Sequence, residues 1–366
     1  PLRENVFRNN YIGLRINAPS ATIIQDKIDA SNNYVINPFH GNTYTSTGSI
    51  KPLNGTNYPT TALIADLEQA YNANNWKSYA GIVSNNPNLF ILEGINQIAN
   101  QNNLPNYFSN LTNGILISNG NLEVNLTQFD NITSTATSSN SSFKHIGYAI
   151  YGKGNANTNH KIKYSKANSL NNPPTTWNFD ISNSKAGVRV HDMHLTLEGI
   201  VTNNIPTKAV EIQRTSTNAI SSTVHNCVLK AYQPIAIETK TGDDMTISGN
   251  TIEDIPTTAN TNALIDISGT SATLATNASN NTNNKITDNN LKINNSRYGI
   301  RINGVHGAST TSRFWIGWNT IHIPNTNTTN PTWSGIYQTN ANNYLMNYNA
   351  VYMSLSNTIT TARGNP

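Results

Sequence analysis

The stretch Met245–Ile255, which reads MTISGNTIEDI, decides how this chain folds. It contains two short segments in which apolar and polar residues alternate, and a tight polar corner with Asn250 joins them. The corner recurs as an apolar residue, two spacers, asparagine, one spacer and a second apolar residue, and a looser copy surrounds Asn226. Such recurrence indicates stacked coils rather than one sheet folded back on itself. The predicted corner asparagines are Asn10, Asn226, Asn250, Asn289, Asn319 and Asn349.

A second motif is a strand that reads small residue, aliphatic residue, any residue, aliphatic residue. Copies are found at 114–117, 187–190, 209–212, 234–237 and 299–302. Alternation puts every second side chain inside. A strand this short has nothing to bury against within its own coil, so its inward aliphatics are buried only when coils stack about 4.8 Å apart. Asparagines at equivalent corners can then form a ladder of side-chain amides, and asparagine also tolerates the left-handed backbone that a sharp corner needs.

The sequence therefore predicts an all-β fold, a right-handed parallel β-helix (solenoid). Two other all-β folds fit less well. A β-sandwich would show hairpin dipeptides between antiparallel strands. A β-propeller would show a repeat of about 40–50 residues with four strands in each.

The spacing of apolar residues becomes helical between residues 60 and 104. One apolar face runs from Leu63 to Tyr71, and a second, from Pro87 to Ile98, starts with a proline that suits a first helical turn. We therefore expect a small α-helical insertion at 60–104, either a packed cap or a partner-docking appendage. It would separate N-terminal β-helix turns and loops at 1–59 from the main β-helix body at 105–366.

Composition argues against several classes of function. Charged residues make up 11% of the 366 residues, against roughly 25% in an average soluble domain, and the net charge of +4 reflects scarce acids rather than clustered bases. No run of lysine or arginine suits nucleic acid or a membrane surface, and no apolar run approaches the ~20 residues of a membrane span. The single cysteine, Cys227, is expected to be a small core residue. Because the sequence starts at Pro1, we expect a segment of a longer, secreted polypeptide.

The alternation, the corner asparagines and the glycine-aliphatic strands resemble the right-handed parallel β-helix repeat family. That family includes pectate-lyase-like polysaccharide enzymes, phage tailspikes and very large secreted surface proteins of bacteria. The resemblance covers most of the chain outside 60–104 and is closest in character to the bacterial surface and adhesin proteins. It implies the fold, whereas the function has to be argued from a site, because the repeat itself is scaffold.

The best catalytic candidates are Asp243 and Asp244, with His306 further along the chain. They resemble the paired aspartates and the Gly-His-Gly segment of polygalacturonase-like β-helix hydrolases, in which inverting hydrolysis needs one protonated carboxyl and one carboxylate. The glycine before His306 is missing here, and so are that family's Asn-Thr-Asp strand and its downstream Arg-Ile-Lys. Adjacent aspartates also cap turns, and this pair could hold a single Ca²⁺. We therefore assign no catalytic residue and no cofactor from the sequence.

Aromatic residues crowd the last predicted coils. They either fill a tapering end or form an exposed platform for sugar rings or for another protein. The candidates for binding a ligand are Trp315, Trp318, Trp333 and Tyr337.

Three classes of function stay open. We expect the first, a structural or adhesive module of a large extracellular or cell-surface bacterial protein, with a glycan or cell-surface ligand and with homo-oligomer or fibre contacts between copies. The weakly charged, asparagine-rich surface and the incomplete catalytic set favour it. The alternatives are a polysaccharide hydrolase or lyase and a spike that binds glycans without cleaving them.

Overall fold

The structure is a computed structural model, and the residues that it describes form 31 β-strands and no α-helix. This part of the chain accordingly holds no helix that is long and apolar enough to cross a membrane. The all-β prediction is confirmed. The described residues are 6–8, 10–16, 23–25, 35–36, 43–45, 67, 79–85, 87, 89–93, 106–133, 147–155, 160–166, 178–255, 262–275, 284–323 and 333–353.

The strands are short in the first half of the chain and include several long ones in the second. Their bounds are β1 Val6–Arg8, β2 Ile12–Ile16, β3 Ile23–Gln25, β4 Val35–Ile36, β5 Thr43–Thr45, β6 Ala80–Ser84, β7 Leu89–Glu93, β8 Asn106–Ser109, β9 Asn113–Ser118, β10 Asn121–Asn125, β11 Thr127–Asp130, β12 Tyr148–Lys153, β13 Lys161–Ser165, β14 Ile181–Ser182, β15 Ala186–His191, β16 His194–Glu198, β17 Thr202–Asn203, β18 Ile205–Gln213, β19 Ser221–His225, β20 Val228–Glu238, β21 Asp244–Ser248, β22 Thr251–Asp254, β23 Ala263–Thr273, β24 Lys285–Thr287, β25 Asn290–Lys292, β26 Tyr298–His306, β27 Phe314–Gly317, β28 Thr320–Ile323, β29 Ser334–Thr339, β30 Tyr344–Asn347 and β31 Ala350–Met353.

The chain divides into two compact units, unit 1 at Pro1–Met193 and unit 2 at His194–Pro366. In unit 1 the strands form three parallel sheets. Successive strands of the chain pass from one sheet to the next, except β3 and β4, which pair with each other in the third sheet. The first sheet is β1-β5-β8-β11-β14, the second is β2-β6-β9-β12-β15, and the third is β4-β3-β7-β10-β13. Three parallel sheets built from successive coils are the architecture of a parallel β-helix.

Unit 2 has the same architecture, although one long strand serves two sheets. The start of β20 pairs with β22 and its end pairs with β23. The first sheet of unit 2 is therefore β20-β22-β25-β28-β31, the second is β18-β20-β23-β26-β29, and the third is β16-β19-β21-β24-β27-β30, all parallel. The glycine-aliphatic motif lies in the second sheet of both units, where its aliphatic residues stack in buried columns such as Val210, Ile235, Ile265 and Ile300.

The core of unit 1 contains a column of aromatic rings. Tyr44 and Phe108 stack with centroids 4.5 Å apart, and Phe108 stacks on Phe129 at 4.9 Å. Phe7 extends the stack at one end, and Tyr164 meets Phe129 edge-on at the other. Glycines of the second sheet leave the space for these rings, because a Cβ at position 81 would lie 2.5 Å from the Phe108 ring and one at position 114 would lie 2.7 Å from the Phe129 ring.

The helical prediction for Pro87–Ile98 is wrong at Leu89–Glu93, and residues 94–98 of that candidate lie outside the described residues. Leu89–Glu93 is strand β7, which pairs in parallel with β3 and β10. Phe90 and Leu92 are buried, whereas Leu89 and Ile91 are partly exposed, so the segment alternates as a strand does. An apolar run this short fits both periods, and here pairing with neighbouring coils decided the outcome. The other candidate face, Leu63–Tyr71, lies outside the described residues except for Leu67, a buried turn residue.

Candidate functional site

Asp243 is a structural residue of the turn between β20 and β21. Its buried carboxylate accepts hydrogen bonds from Arg214 Nε and Nη2, both at 3.0 Å, and from the backbone N–H groups of Ile220 and Lys240 at 2.9 and 2.8 Å. The Arg214 side chain is itself only 1% exposed. Four donors occupy the acceptor sites of the carboxylate, so this aspartate anchors the turn and offers no oxygen to a substrate.

Asp244, the next residue, is the more reactive carboxyl of the pair. It begins β21 and pairs in register with Ser221, whose hydroxyl lies 2.9 Å from His194 Nδ1. Burial raises the pKa of Asp244, the Asp243 charge raises it further, and His194 opposes both effects. A carboxyl that stays protonated longer than usual is what general-acid catalysis needs, but none of the three cavities described below is lined by Asp244.

His306 ends β26 and lies at the edge of a cavity. Its carbonyl accepts the N–H of Leu274, and the carbonyl of Asp243 accepts the N–H of the next residue, Ala275. The backbones of His306 and Asp243 therefore flank the same segment. The Nδ1 of His306 accepts a 3.2 Å hydrogen bond from the backbone N–H of Asn342. His306 lines a cavity of about 610 Å³ to which neither of the two aspartates contributes. Among the cavities of the described residues, none is lined by all three catalytic candidates.

A polar groove runs along the turns that follow the second sheet of unit 2. It consists of two cavities, of about 530 and 610 Å³, which share Gly269, Thr270 and Asn303. Hydroxyl, amide and charged side chains line most of it, and a smaller cavity of about 240 Å³ adjoins it at Glu238 and Ser268. The turns that form the groove come from coils about 30 residues apart in the chain, so no local motif could have revealed it. We call it the polar groove; its main lining residues are Arg214, Lys240, Thr241, Thr270, Asn303, His306 and Asn342.

Ion pairs on the outer face of the second sheet stiffen the wall beside the groove. Arg301 donates through Nε to Asp266 Oδ1 at 2.8 Å and through Nη2 to Oδ2 of the same carboxylate, and Gln233 donates to Asp266 at 2.9 Å. The hydrogen bonds to Asp266 raise the pKa of Arg301. Lys208 pairs with Glu211 at 2.6 Å. These carboxylates are engaged by cations and do not form a catalytic pair.

The candidate aromatic residues separate into two places. Trp315 and Trp318 meet edge-to-face with centroids 4.8 Å apart, and Trp315 Nε1 donates to Asn347 Oδ1 at 2.7 Å. Tyr337 lies instead on the second sheet, stacked on Tyr298 at 4.8 Å. Trp333, partly exposed, precedes β29. Trp315 and Trp318 are therefore the only two of the four that the described structure brings together.

Four of the six corner asparagines form one ladder. Asn250 Nδ2 donates to Asn289 Oδ1, Asn289 to Asn319, and Asn319 to Asn349, each at 2.9 Å. Each amide also donates to a backbone carbonyl of the preceding coil, for example Asn289 Nδ2 to Ile247 O at 3.0 Å.

The other two asparagines lie elsewhere. Asn226 has a positive φ of 52° and lies one residue before the ladder position. Cys227 occupies the ladder position itself, and its backbone N–H donates to Asn250 Oδ1 at 2.8 Å. Asn10 is exposed between β1 and β2, the corner from the first to the second sheet. Of the two reasons that favour asparagine at a corner, the amide ladder and the left-handed backbone, the second applies at Asn226.

No cluster of three or more His, Cys, Asp or Glu side chains that could hold a metal ion occurs in the part of the chain that the structure describes. Comparison with protein-family models, with curated proteins and with solved structures found no match to this chain.

Proposed function

We propose that this chain is a structural and adhesive module of an extracellular or cell-surface protein, and that unit 2 binds a glycan in the polar groove. The observation that carries the proposal is the groove itself, in which two adjoining cavities share Gly269, Thr270 and Asn303. An extended polar chain with many hydroxyl groups fits a long lining of hydroxyls and amides better than a small apolar ligand does. The resemblance to β-helical surface proteins supports the same assignment.

Adhesion is favoured over catalysis because the most conspicuous carboxylate, Asp243, is held by Arg214 and two backbone N–H groups. Polysaccharide hydrolysis stays the second candidate function, because Oδ1 of Asp244 is buried without a hydrogen-bond partner among the described residues and burial raises the pKa of this carboxyl. A hydrolase would need a second carboxylate across a substrate cleft from that acid. Of the carboxylates at the groove, Glu238 accepts a 3.1 Å hydrogen bond from the backbone N–H of Arg214. Glu211 and Asp266, in the adjoining cavity, are paired with Lys208 and Arg301.

Contacts between copies of the chain are part of the proposal. Leu345 and Met346 on β30 and Tyr352 on β31 are exposed large apolar side chains. Exposed apolar side chains that lie close together favour association. Sedimentation velocity over a roughly 100-fold range of protein concentration tests for these contacts. A chain that is monomeric throughout that range would remove this part of the proposal.

A glycan array combined with a polysaccharide degradation screen tests the glycan assignment. We expect binding without release of new reducing ends. Asn303→Trp places a large ring where the two cavities meet and should abolish binding. Thr251→Trp adds the same ring at an exposed position of the first sheet and should leave binding unchanged. If the natural chain released reducing ends and Asp244→Asn did not, hydrolysis would replace adhesion as the proposed function. If Asn303→Trp still bound the glycan, the assignment of the binding site to the polar groove would be contradicted.

A further inference from the structure

The corner from the third to the first sheet of unit 2 has a left-handed backbone in successive coils. Gly199, Asn226, Gly249 and Asp288 occupy this position with φ between 52° and 68°. Glycine, asparagine and aspartate are the residues that adopt this conformation readily. The next two coils place Trp318 and Tyr348 there, with φ of 53° and 55°. Bulky aromatic residues are disfavoured at positive φ, so the fold of the corner does not account for either of them.

Burial does not offset this strain. Trp318 is 49% exposed and Tyr348 is 72% exposed. In unit 1, by contrast, Leu126 has a φ of 45° at the equivalent corner but is fully buried, so its side chain contributes to the core. Backbone strain without a packing gain is typical of functional positions.

The two rings are held in a fixed arrangement. Trp318 and Tyr348 stack at a centroid distance of 5.9 Å and an interplanar angle of 20°. The edge of Trp315 contacts Trp318, and the hydrogen bond from Trp315 to Asn347 fixes that side chain in turn. A stacked pair this rigid loses little conformational freedom when a ligand binds.

We propose that Trp318 and Tyr348 form a binding site for the ring of a neutral hexopyranose. The C–H face of such a sugar packs on an aromatic ring, and its hydroxyls need hydrogen-bonding groups beside that ring. The exposed side chains of Asp288 and Asn290 belong to the preceding coil, where Asn290 pairs in register with Thr320. Asp288 occupies the corner position of Trp318 one coil earlier, and its backbone N–H bonds the carbonyl of Gly317. The two side chains can therefore supply acceptors and a donor from the neighbouring coil.

The exposed area of the two rings suits a single sugar ring, and this area leaves out Leu345, Met346 and Tyr352, whose exposed side chains are assigned above to contacts between copies. The uncovered parts of two such rings amount to roughly 300 Å², whereas a stable protein interface needs about 800 Å² from each partner. A single sugar ring with its neighbours matches the smaller area. This site is separate from the polar groove, so the two assignments can fail independently.

Two variants test the site without damage to the fold. Trp318→Asn and Tyr348→Asn introduce a residue that already stands at this corner as Asn226, so we expect the thermal midpoint to stay unchanged or to rise. Affinity electrophoresis in amylose, hydroxyethylcellulose, galactomannan and dextran should show retardation of the natural chain by at least one of them. Each variant should weaken that binding at least tenfold, whereas Phe179→Asn, at an exposed aromatic residue of unit 1, should not.

Three results would overturn the site: no retardation of the natural chain in any of the four polymers, unchanged binding in both variants, or a lowered thermal midpoint in Trp318→Asn with binding retained. Loss of self-association in Trp318→Asn with no polysaccharide binding would identify a protein contact and would also overturn it. Asn303→Trp distinguishes this site from the polar groove. If polysaccharide binding is lost in Asn303→Trp but kept in Trp318→Asn and Tyr348→Asn, the groove is supported and the corner site is contradicted.

Discussion

The two units stabilise stacked coils with different ladders. Unit 1 stacks aromatic rings such as Phe108 and Phe129 within its core, and unit 2 stacks the amides of Asn250 through Asn349 at one corner. Burial and ring contacts stabilise the first ladder, while directional hydrogen bonds stabilise the second. The comparison shows that parallel stacking in register supports either chemistry, provided that equivalent positions repeat. The aromatic ladder needs space, which glycines supply, and the amide ladder needs alignment.

Removal of one ring should have the largest effect. Phe108→Ala deletes a fully buried ring between Tyr44 and Phe129 and should lower the free energy of unfolding by about 3–5 kcal/mol, since it creates a cavity in the stack. Guanidinium unfolding measures the loss, and hydrogen exchange should place it in unit 1. Phe108→Leu keeps most of the volume and should cost clearly less. A loss below about 1 kcal/mol in the alanine variant would mean that the column is not a source of stability.

Removal of one amide should have a smaller but still large effect. Asn289→Ala deletes the acceptor for the Asn250 backbone N–H and side chain, and the donors to Ile247 and Asn319. Buried groups left without partners should lower the free energy of unfolding by about 2–3 kcal/mol. Asn290→Ala, at the exposed neighbouring position, should change it by less than about 0.5 kcal/mol. Equal losses in the two variants would show that the ladder contributes no special stability.

The ladder can also be lengthened. Cys227→Asn puts an amide of similar volume at the equivalent position one coil before Asn250. The backbone N–H of residue 227 is already bound to Asn250 Oδ1 there. The new amide should raise the free energy of unfolding by about 1 kcal/mol through one or two added hydrogen bonds. Thermal unfolding beside Cys227→Ala, which adds no amide, measures the gain. A less stable asparagine variant would indicate that the ladder ends at Asn250 for lack of space.

The two units should respond to acid in different pH ranges. Burial lowers the pKa of His160 in unit 1 below 6.5, so the stability that its neutral form contributes is present above pH 6.5 and is lost as the pH falls through the folded value. In unit 2, burial raises the pKa of Glu253, but hydrogen bonds from Lys292 and Asn294 outweigh this and hold it below 4.5. The stability that ionised Glu253 contributes is therefore present above pH 4.5 and is lost as the pH falls through its folded pKa. We expect a loss of a few tenths of a kcal/mol at this partly exposed site.

Hydrogen exchange at pH 7, 5.5 and 3.5 separates these two effects, because it reports each unit's amides individually. The amides of unit 1 should lose protection between pH 7 and 5.5, and His160→Gln should remove that change. Unit 2 should weaken between pH 5 and 3.5, and Glu253→Gln should remove that one. A response of unit 2 in the upper range alone would contradict the assignment.

The sequence predicted those features that repeat along the chain. Alternation identified the parallel coils, and the glycine-aliphatic motif identified one sheet, because the inward position recurs with period two. The motif could not tell Asn226 from Asn250, since asparagine suits both a left-handed backbone and an amide ladder. Nor could it assign Leu89–Glu93, whose apolar spacing fits helix and strand alike. The polar groove was beyond prediction, because its lining residues come from turns of different coils and share no local pattern.

The amide ladder has a direction. Asn250, Asn289 and Asn319 each donate to the asparagine of the following coil, so their bond dipoles add along the column instead of cancelling. A duplicated coil inserted in the same sense would extend the column, with Asn349 as donor to the newcomer. A joint in the opposite sense would set two oxygens or two amino groups against each other. An added coil therefore continues the column only if it carries an asparagine in register at this corner, with its amide oriented in the same sense.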